Sequence, residues 1–188
     1  GKLIHWMVLE PQKVNNIKFI DSSSRATKVY KEAKAIHGEV FLSKDRSAAE
    51  RITDAVLRND QAVKLLNKSE VEVPVIDILE GLPFRGKADI IQGDTIIDLK
   101  TTADLSSFKY SADKYGYDLQ AYMYLRLFKK QNFKFLVVDK ASTDIGIYNV
   151  SDEFIARGEE KFFRAVENYK YFFEDDNDLD QYVMTGLL

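Results

Sequence analysis

The sequence predicts an α/β fold, a mixed central sheet flanked by helices on both sides. Apolar residues recur at three- and four-residue steps as far as Leu66, the mark of amphipathic helices. At Glu70 the pattern changes to three consecutive strand-like runs joined by tight turns. Beyond Thr101, helical stretches, a strand pair and a long helix follow, so sheet and helices alternate and must pack in layers.

Each element has its local reason. Residues 1–10 have helical spacing but no capping residue ahead of Gly1, and Pro11 ends the helix. Residues 14–21 are predicted extended, leading to a turn at Ser22-Ser23-Ser24. Residues 26–36 and 44–57 are amphipathic helices, the second capped by Ser43, and residues 60–66 form a short third. Their Lys28, Lys31, Lys34, Arg46, Arg51, Arg58 and Lys64 suit a solvated face first and phosphate contacts second. Residues 70–79, 82–92 and 95–101 make a meander with turns at Glu80-Gly81 and Gly93-Asp94. Helices over 105–112 and 117–130, strands over 133–139 and 145–150, and a helix over 152–173 capped by Ser151 complete the chain. The acidic run from Glu174 to Asp180 is expected on a solvated surface.

With 188 residues, 45% of them apolar, the chain can bury one sizeable core and not two ordinary ones, so residues 1–188 are expected to form a single domain. Its 12 Phe and 10 Tyr argue against disorder. The absence of cysteine excludes disulfides, thiol nucleophiles, Cys-ligated zinc and iron–sulfur clusters, so any metal must sit on oxygen and imidazole. Apolar runs fall far short of the ~20 residues that span a bilayer, and a cytoplasmic protein with no membrane partner is expected. A net charge of −3 does not advertise a nucleic-acid binder, yet distribution and not the sum sets the local field.

The informative stretch is Gly86-Lys87-Ala88-Asp89-Ile90-Ile91, a turn, then Ile96-Ile97-Asp98-Leu99-Lys100-Thr101-Thr102. Alternate side chains of a strand share a face, so Asp98 and Lys100 point the same way and Leu99 the other. The Gly93-Asp94 turn folds Asp89 back beside Asp98, and two close carboxylates repel unless a cation lies between them. Magnesium suits such a site, with hard oxygen ligands and a water that can become a nucleophile, and Lys100 would orient that water or stabilise the phosphate. Taken alone, the triplet is equally an ordinary hairpin acid beside a same-face ion pair. The apolar setting of Ile90, Ile91, Ile96, Ile97 and Leu99, where uncompensated charge is costly, argues for function. Tyr117, Gln120 and Tyr124 share one helix face, polar enough to reach phosphate oxygens though also compatible with a half-buried amphipathic helix. His5 by itself reads as a structural histidine, and His37 before Gly38 as a helix C-terminal residue.

Taken together, Gly1-Lys2-Leu3-Ile4-His5 with Leu9-Glu10-Pro11, Gly86-Lys87-Ala88-Asp89, Asp98-Leu99-Lys100-Thr101-Thr102 and Gln120 to Tyr124 resemble the RecE-like, exodeoxyribonuclease VIII branch of the PD-(D/E)xK nucleases of phages and prophages. The likeness implies a restriction-endonuclease-like core and an exonuclease degrading linear double-stranded DNA from the 5′ end in phage-type recombination, in the cytoplasm of a bacterial host. It implies that His5, Asp89, Asp98 and the Leu99 carbonyl hold Mg²⁺, with Mn²⁺ as substitute. Lys100 would be catalytic with Asp89, Asp98 and Gln120, and Tyr117, Tyr124, Thr101 and Thr102 would lie at the DNA; Glu70 and Glu10 are further candidates for metal or water contacts. Because the chain opens at the glycine of the histidine helix, an N-terminal segment is expected to be missing. The likeness also implies a homo-oligomeric ring of about three or four subunits, lined by Lys28, Lys31, Arg85 and Lys87, and a single-strand annealing partner. An endonuclease of the same fold, in restriction or repair, is the alternative, and a DNA-binding protein that lost the chemistry is a third.

Overall fold

The computed structural model describes residues 1–174. Helix α1 (Lys2–Leu9) opens the chain without a side-chain cap, as expected. A 3₁₀ turn over Pro11–Asn16 and the short strand β1 (Lys18–Ile20) follow. The extended run expected over residues 14–21 is thus corrected: Pro11, with its φ preset for a helical start, winds the first half into a turn. Thr27 caps α2 (Lys28–His37), and β2 (Val40–Leu42) pairs in parallel with β1. Strand β2 escaped the sequence reading because all three of its residues are buried and nothing alternates. Ser43 is the first residue of α3 (Ser43–Arg58) and not its cap; Leu42 stands at that position, and no side chain caps the helix. Asn59 caps α4 (Asp60–Leu66) through the amides of Gln61 and Ala62.

The central sheet runs β3 (Glu70–Leu79), β4 (Leu82–Gln92), β5 (Thr95–Thr102), β6 (Asn132–Asp139) and β7 (Ile145–Asn149) in that spatial order. The first three strands are an antiparallel meander, β5 and β6 are parallel, and β7 returns antiparallel. A parallel pair needs a crossover, supplied here by α5 (Phe108–Lys114) and α6 (Tyr117–Phe128). Helix α5 starts later than residue 105 because side chains hold the preceding turn. Asp139 accepts from the Leu105 amide at 3.0 Å, and Asp104 accepts from the Ser106 amide at 2.9 Å. Helix α6 stops at Phe128, where Lys129 takes a left-handed conformation.

Both faces of the sheet are covered. On one, Ile90, Ile97, Leu99, Leu136 and Val138 pack with α1, α3 and α4. On the other, Ala88, Ile91, Ile96, Phe133, Phe135 and Val137 pack with α5 and α6. The mixed sheet with helices on both sides is therefore as the pattern predicts. Helix α7 (Asp152–Phe173), capped by Ser151, lies across α6 and the β3–β4 hairpin. Of the acidic run, Glu174 is exposed, and the rest lies outside the described residues. Among the described residues no helix is long and apolar enough to cross a membrane.

The α6–α7 crossing is tight. Asp118 is fully buried on α6, with Lys161 Nζ of α7 at 2.6 Å and Arg157 Nε at 3.7 Å. A Cβ on Gly158 would lie 2.1 Å from the Asp118 carbonyl oxygen, so the helices approach only because α7 has glycine there. Gly158→Ala should cost about 1–3 kcal/mol by overpacking. Asp118→Ala should cost about 3 kcal/mol by stranding a half-buried lysine. Urea denaturation of both variants checks this, and an unchanged midpoint for Gly158→Ala would mean that the helices do not meet there.

Candidate active site

Strand β5 lies at the centre of the sheet and carries Asp98, only 3% exposed, on its α6 side. Two residues on, Lys100 shares that face and brings its Nζ to 2.7 Å from Asp98 Oδ2. Gln120 closes a triangle: its Nε2 donates to Asp98 Oδ1 at 2.6 Å and its Oε1 accepts from Lys100 Nζ at 3.1 Å. Gly116, at φ 66, makes the left-handed turn that starts α6 with Tyr117 and Gln120 toward β5. The Lys100 ammonium lies 4.6 Å from the Tyr117 ring centre, a cation–π contact that further restrains it.

On the other side of the sheet the strands part. The β4–β5 ladder runs from Gln92↔Thr95 to Ile90↔Ile97 and no further. Ala88 and Ile90, two residues apart, pack on opposite faces, so alternation slips at Asp89. Asp89 Oδ2 fills the gap by accepting from the Leu99 amide at 2.8 Å, a side chain replacing the lost ladder partner. His5 Nδ1, from α1, lies 3.5 Å from the same oxygen. On β3, Glu72 takes φ 53 between the paired Val71↔Ile90 and Val73↔Ala88, opposite Asp89. One ligand atom each from His5, Glu72 and Asp89 lies within 4.8 Å of the others, and the Lys87 ammonium pairs with Glu72.

Charge is crowded here. Burial, with the nearby Asp89 charge, raises the Asp98 pKa against the pull of Lys100 and His5. Burial works against His5 protonation, but its hydrogen bond to Asp89, the charges of Asp89 and Asp98 and the Leu99 carbonyl together raise its pKa. Asp98 Oδ2 is enclosed, with Lys100 close by but no aligned hydrogen-bond donor. Two carboxylates and an imidazole within ligand distance of one another, those of Asp89, Glu72 and His5, fit a hard divalent cation. Next to them the enclosed Asp98 oxygen lacks a donor, and its carboxylate feels the charges of Asp89 and His5 without joining that group.

The structure thus brings His5, Asp89, Asp98, Leu99, Lys100, Gln120 and Tyr117 together. Of the other candidates, Tyr124 borders the site, within range of the charges of Asp98, Asp89 and Lys100, and Glu10 lies within range of Lys87. Glu70 is exposed opposite Ile91 at the start of β3, and Glu10 pairs with Lys13 at 2.6 Å. Thr102 donates to the Asp104 carbonyl at 3.0 Å and Tyr124 to the Lys87 carbonyl at 3.2 Å, so both hydroxyls brace backbone. Thr101 lines a cavity of about 230 Å³ with Tyr115, Tyr117 and Lys140. The sequence reading missed Glu72, although the signal was there: the tight turn pairs Leu79 with Leu82, and counting back along both strands sets Glu72 against Asp89.

A family described as a PDDEXK-like domain of unknown function, DUF3799, matches residues 1–178. The chain belongs to that family. The PD-(D/E)xK likeness drawn from its motifs is borne out at the level of that domain, and the mixed sheet flanked by helices is its PDDEXK-like core. A protein from Eubacterium rectale, provisionally named an exonuclease, shares the fold at a TM-score of 0.65 and 17% identity, over 94% of this chain and 81% of that one. A phage-related exonuclease from Haemophilus somnus 129PT matches at a TM-score of 0.41 and 16% identity, over 82% of this chain and 90% of that one. No curated protein matches the sequence significantly.

If His5, Glu72 and Asp89 bind a cation that relieves carboxylate repulsion, Mg²⁺ or Mn²⁺ should raise the melting temperature. The gain should reach about 2.7 kcal/mol at a hundredfold excess over Kd. Glu72→Gln and Asp89→Asn should each shrink that shift, whereas Glu70→Gln should leave it whole. A full shift in the Glu72 variant would remove Glu72 from the ligand set.

Proposed function

We propose that this PDDEXK-like protein is a metal-dependent DNA exonuclease that hydrolyses phosphodiester bonds of linear double-stranded DNA, 5′ to 3′, in phage-type recombination. The observation that carries this reading is the Asp98–Lys100–Gln120 triangle abutting the His5–Glu72–Asp89 cluster where β4 and β5 part. The exonuclease name of the Eubacterium rectale protein with the same fold supports it.

His5, Glu72, Asp89 and Asp98, with the Leu99 carbonyl, would hold the cation, Mg²⁺ or in its place Mn²⁺. Once bound it would neutralise charge at the scissile phosphate and acidify an attacking water. The chain's own contribution is positional. Lys100, held by Asp98 and Gln120 and backed by Tyr117, keeps its ammonium at one place, so its N–H groups meet the phosphate oxygens and the water without reorganisation. Gln120 fixes both partners at once, donating to the carboxylate and accepting from the ammonium.

A copy with net charge −3 has little electrostatic hold on DNA, and that hold falls steeply with salt. We therefore place the active enzyme in a ring of about three or four copies that encloses the duplex, with a single-strand annealing protein taking the product strand. End-labelled linear DNA and closed circular DNA, each with Mg²⁺, Mn²⁺ or Ca²⁺, test the reading in one assay. Linear duplex should be degraded from its 5′ ends and circles left intact; cut circles would make the protein an endonuclease of the same fold. Lys100→Ala should lower turnover at least about 100-fold. Its metal-induced thermal shift should survive, and near wild-type turnover would take Lys100 out of the mechanism.

A further inference from the structure

The β3–β4 hairpin is apolar on both faces, and one of them is bare. Val75, Leu79, Leu82 and Phe84 turn inward against α6 and α7. On the opposite face, Pro74, Ile76 and Ile78 of β3 stand across from Lys87, Arg85 and Pro83 of β4, and all six are exposed. Ile76, at 79%, is the most exposed large apolar side chain among the described residues, and Ile78 is 60% exposed. Bare isoleucines on an edge strand invite association, and a partner of definite chemistry removes that liability.

Charge and position select the partner. The face bears Arg85 and Lys87, and the one carboxylate in these stretches, Asp77, stands on the other face opposite Phe84 and pairs with Lys129, in a chain of net charge −3. Arg85 has no ion-pair partner among the described residues. The same face runs directly into Glu72, which Lys87 contacts, and into Asp89. Arg85 lies four residues from Asp89, about 13 Å along the strand, which matches about four base pairs of duplex.

We infer that the outer face of the β3–β4 hairpin is a duplex-DNA contact surface, with Arg85 on a backbone phosphate and Ile76 and Ile78 against the sugar edges of the minor groove. Resting on the nuclease reading, it specifies where the uncut duplex lies. Arginine supplies the attraction and isoleucine the desolvated contact, a pairing that reads shape and not sequence, as suits an enzyme that degrades any duplex.

The test is binding of a fluorescein-labelled blunt duplex of about two helical turns, in calcium, across a salt series. The double variant Ile76→Ser with Ile78→Ser should bind about tenfold more weakly. Arg85→Ala should lower the slope of log affinity against log salt by about 0.9, the signature of one lost phosphate contact. This second variant leaves the apolar row intact and decides the matter even where the isoleucine variant fails to fold. Wild-type affinity and slope in the variants, while the wild-type protein degrades linear DNA, would overturn the hairpin surface and leave the nuclease reading standing. A wild-type protein that neither binds nor cuts DNA would overturn both. A smaller mass by light scattering for the double variant, at unchanged DNA affinity, would assign the face to a second copy of the chain and overturn the inference.

Discussion

A carboxylate in the middle of a buried sheet governs much of this molecule. Asp98 sits on the central strand with 3% of its surface exposed, where a lone charge costs several kcal/mol. Its neighbours are arranged as the answer to that cost. Lys100 supplies the opposite charge from the same face, and Gln120 ties the two together from α6. Even so, one oxygen of Asp98 lacks an aligned donor, and the Asp89 charge lies close enough to push its pKa up further. Folding alone leaves the site short of positive charge, a shortfall of the kind a divalent cation fills.

Room for that cation comes from a defect in the sheet. A continuous β4–β5 ladder would pair the Leu99 amide with backbone and close the gap. Instead the ladder stops at Ile90↔Ile97 and Asp89 takes the amide with its side chain. The early end of the ladder therefore does two things: it opens the space between the strands and leaves a carboxylate to fill it. The left-handed Glu72 on the next strand adds a second carboxylate, and α1, packed on Ile97 and Leu99, brings in the imidazole of His5. Local distortion of this sort is stable because the rest of both strands is well packed on two faces.

Layering explains why one sheet can present two different clusters. The triangle of Asp98, Lys100 and Gln120 belongs to the α6 side, and His5, Glu72 and Asp89 belong to the α1 side. They meet only at the parting of β4 and β5. On the α6 side, Asp118, Lys161 and Gly158 lock α6 to α7, which steadies the helix that presents Gln120. The hairpin beyond the parting continues the α1-side face into open solvent, so its exposed row and the cluster form one surface.

Periodicity and local chemistry by themselves determined most of the fold. The meander of β3 to β5, α4, and α7 with its Ser151 cap follow from turn residues and from spacing that no tertiary contact had to overrule. Pairing Asp98 with Lys100 needed only the two-residue repeat of a strand. Where a segment's burial depends on distant neighbours, pattern failed: β2 is buried on all sides and shows no alternation, and α5 starts late because Asp139, far along the chain, holds Leu105. The cluster itself is a tertiary product. His5 meets Asp89 only because α1 packs on the back of β5, and Glu72 and not Glu70 faces the gap because strand register and a left-handed backbone put it there. Spacing along a chain can say which side chains share a face; which faces come together depends on long-range packing that no short window of sequence contains.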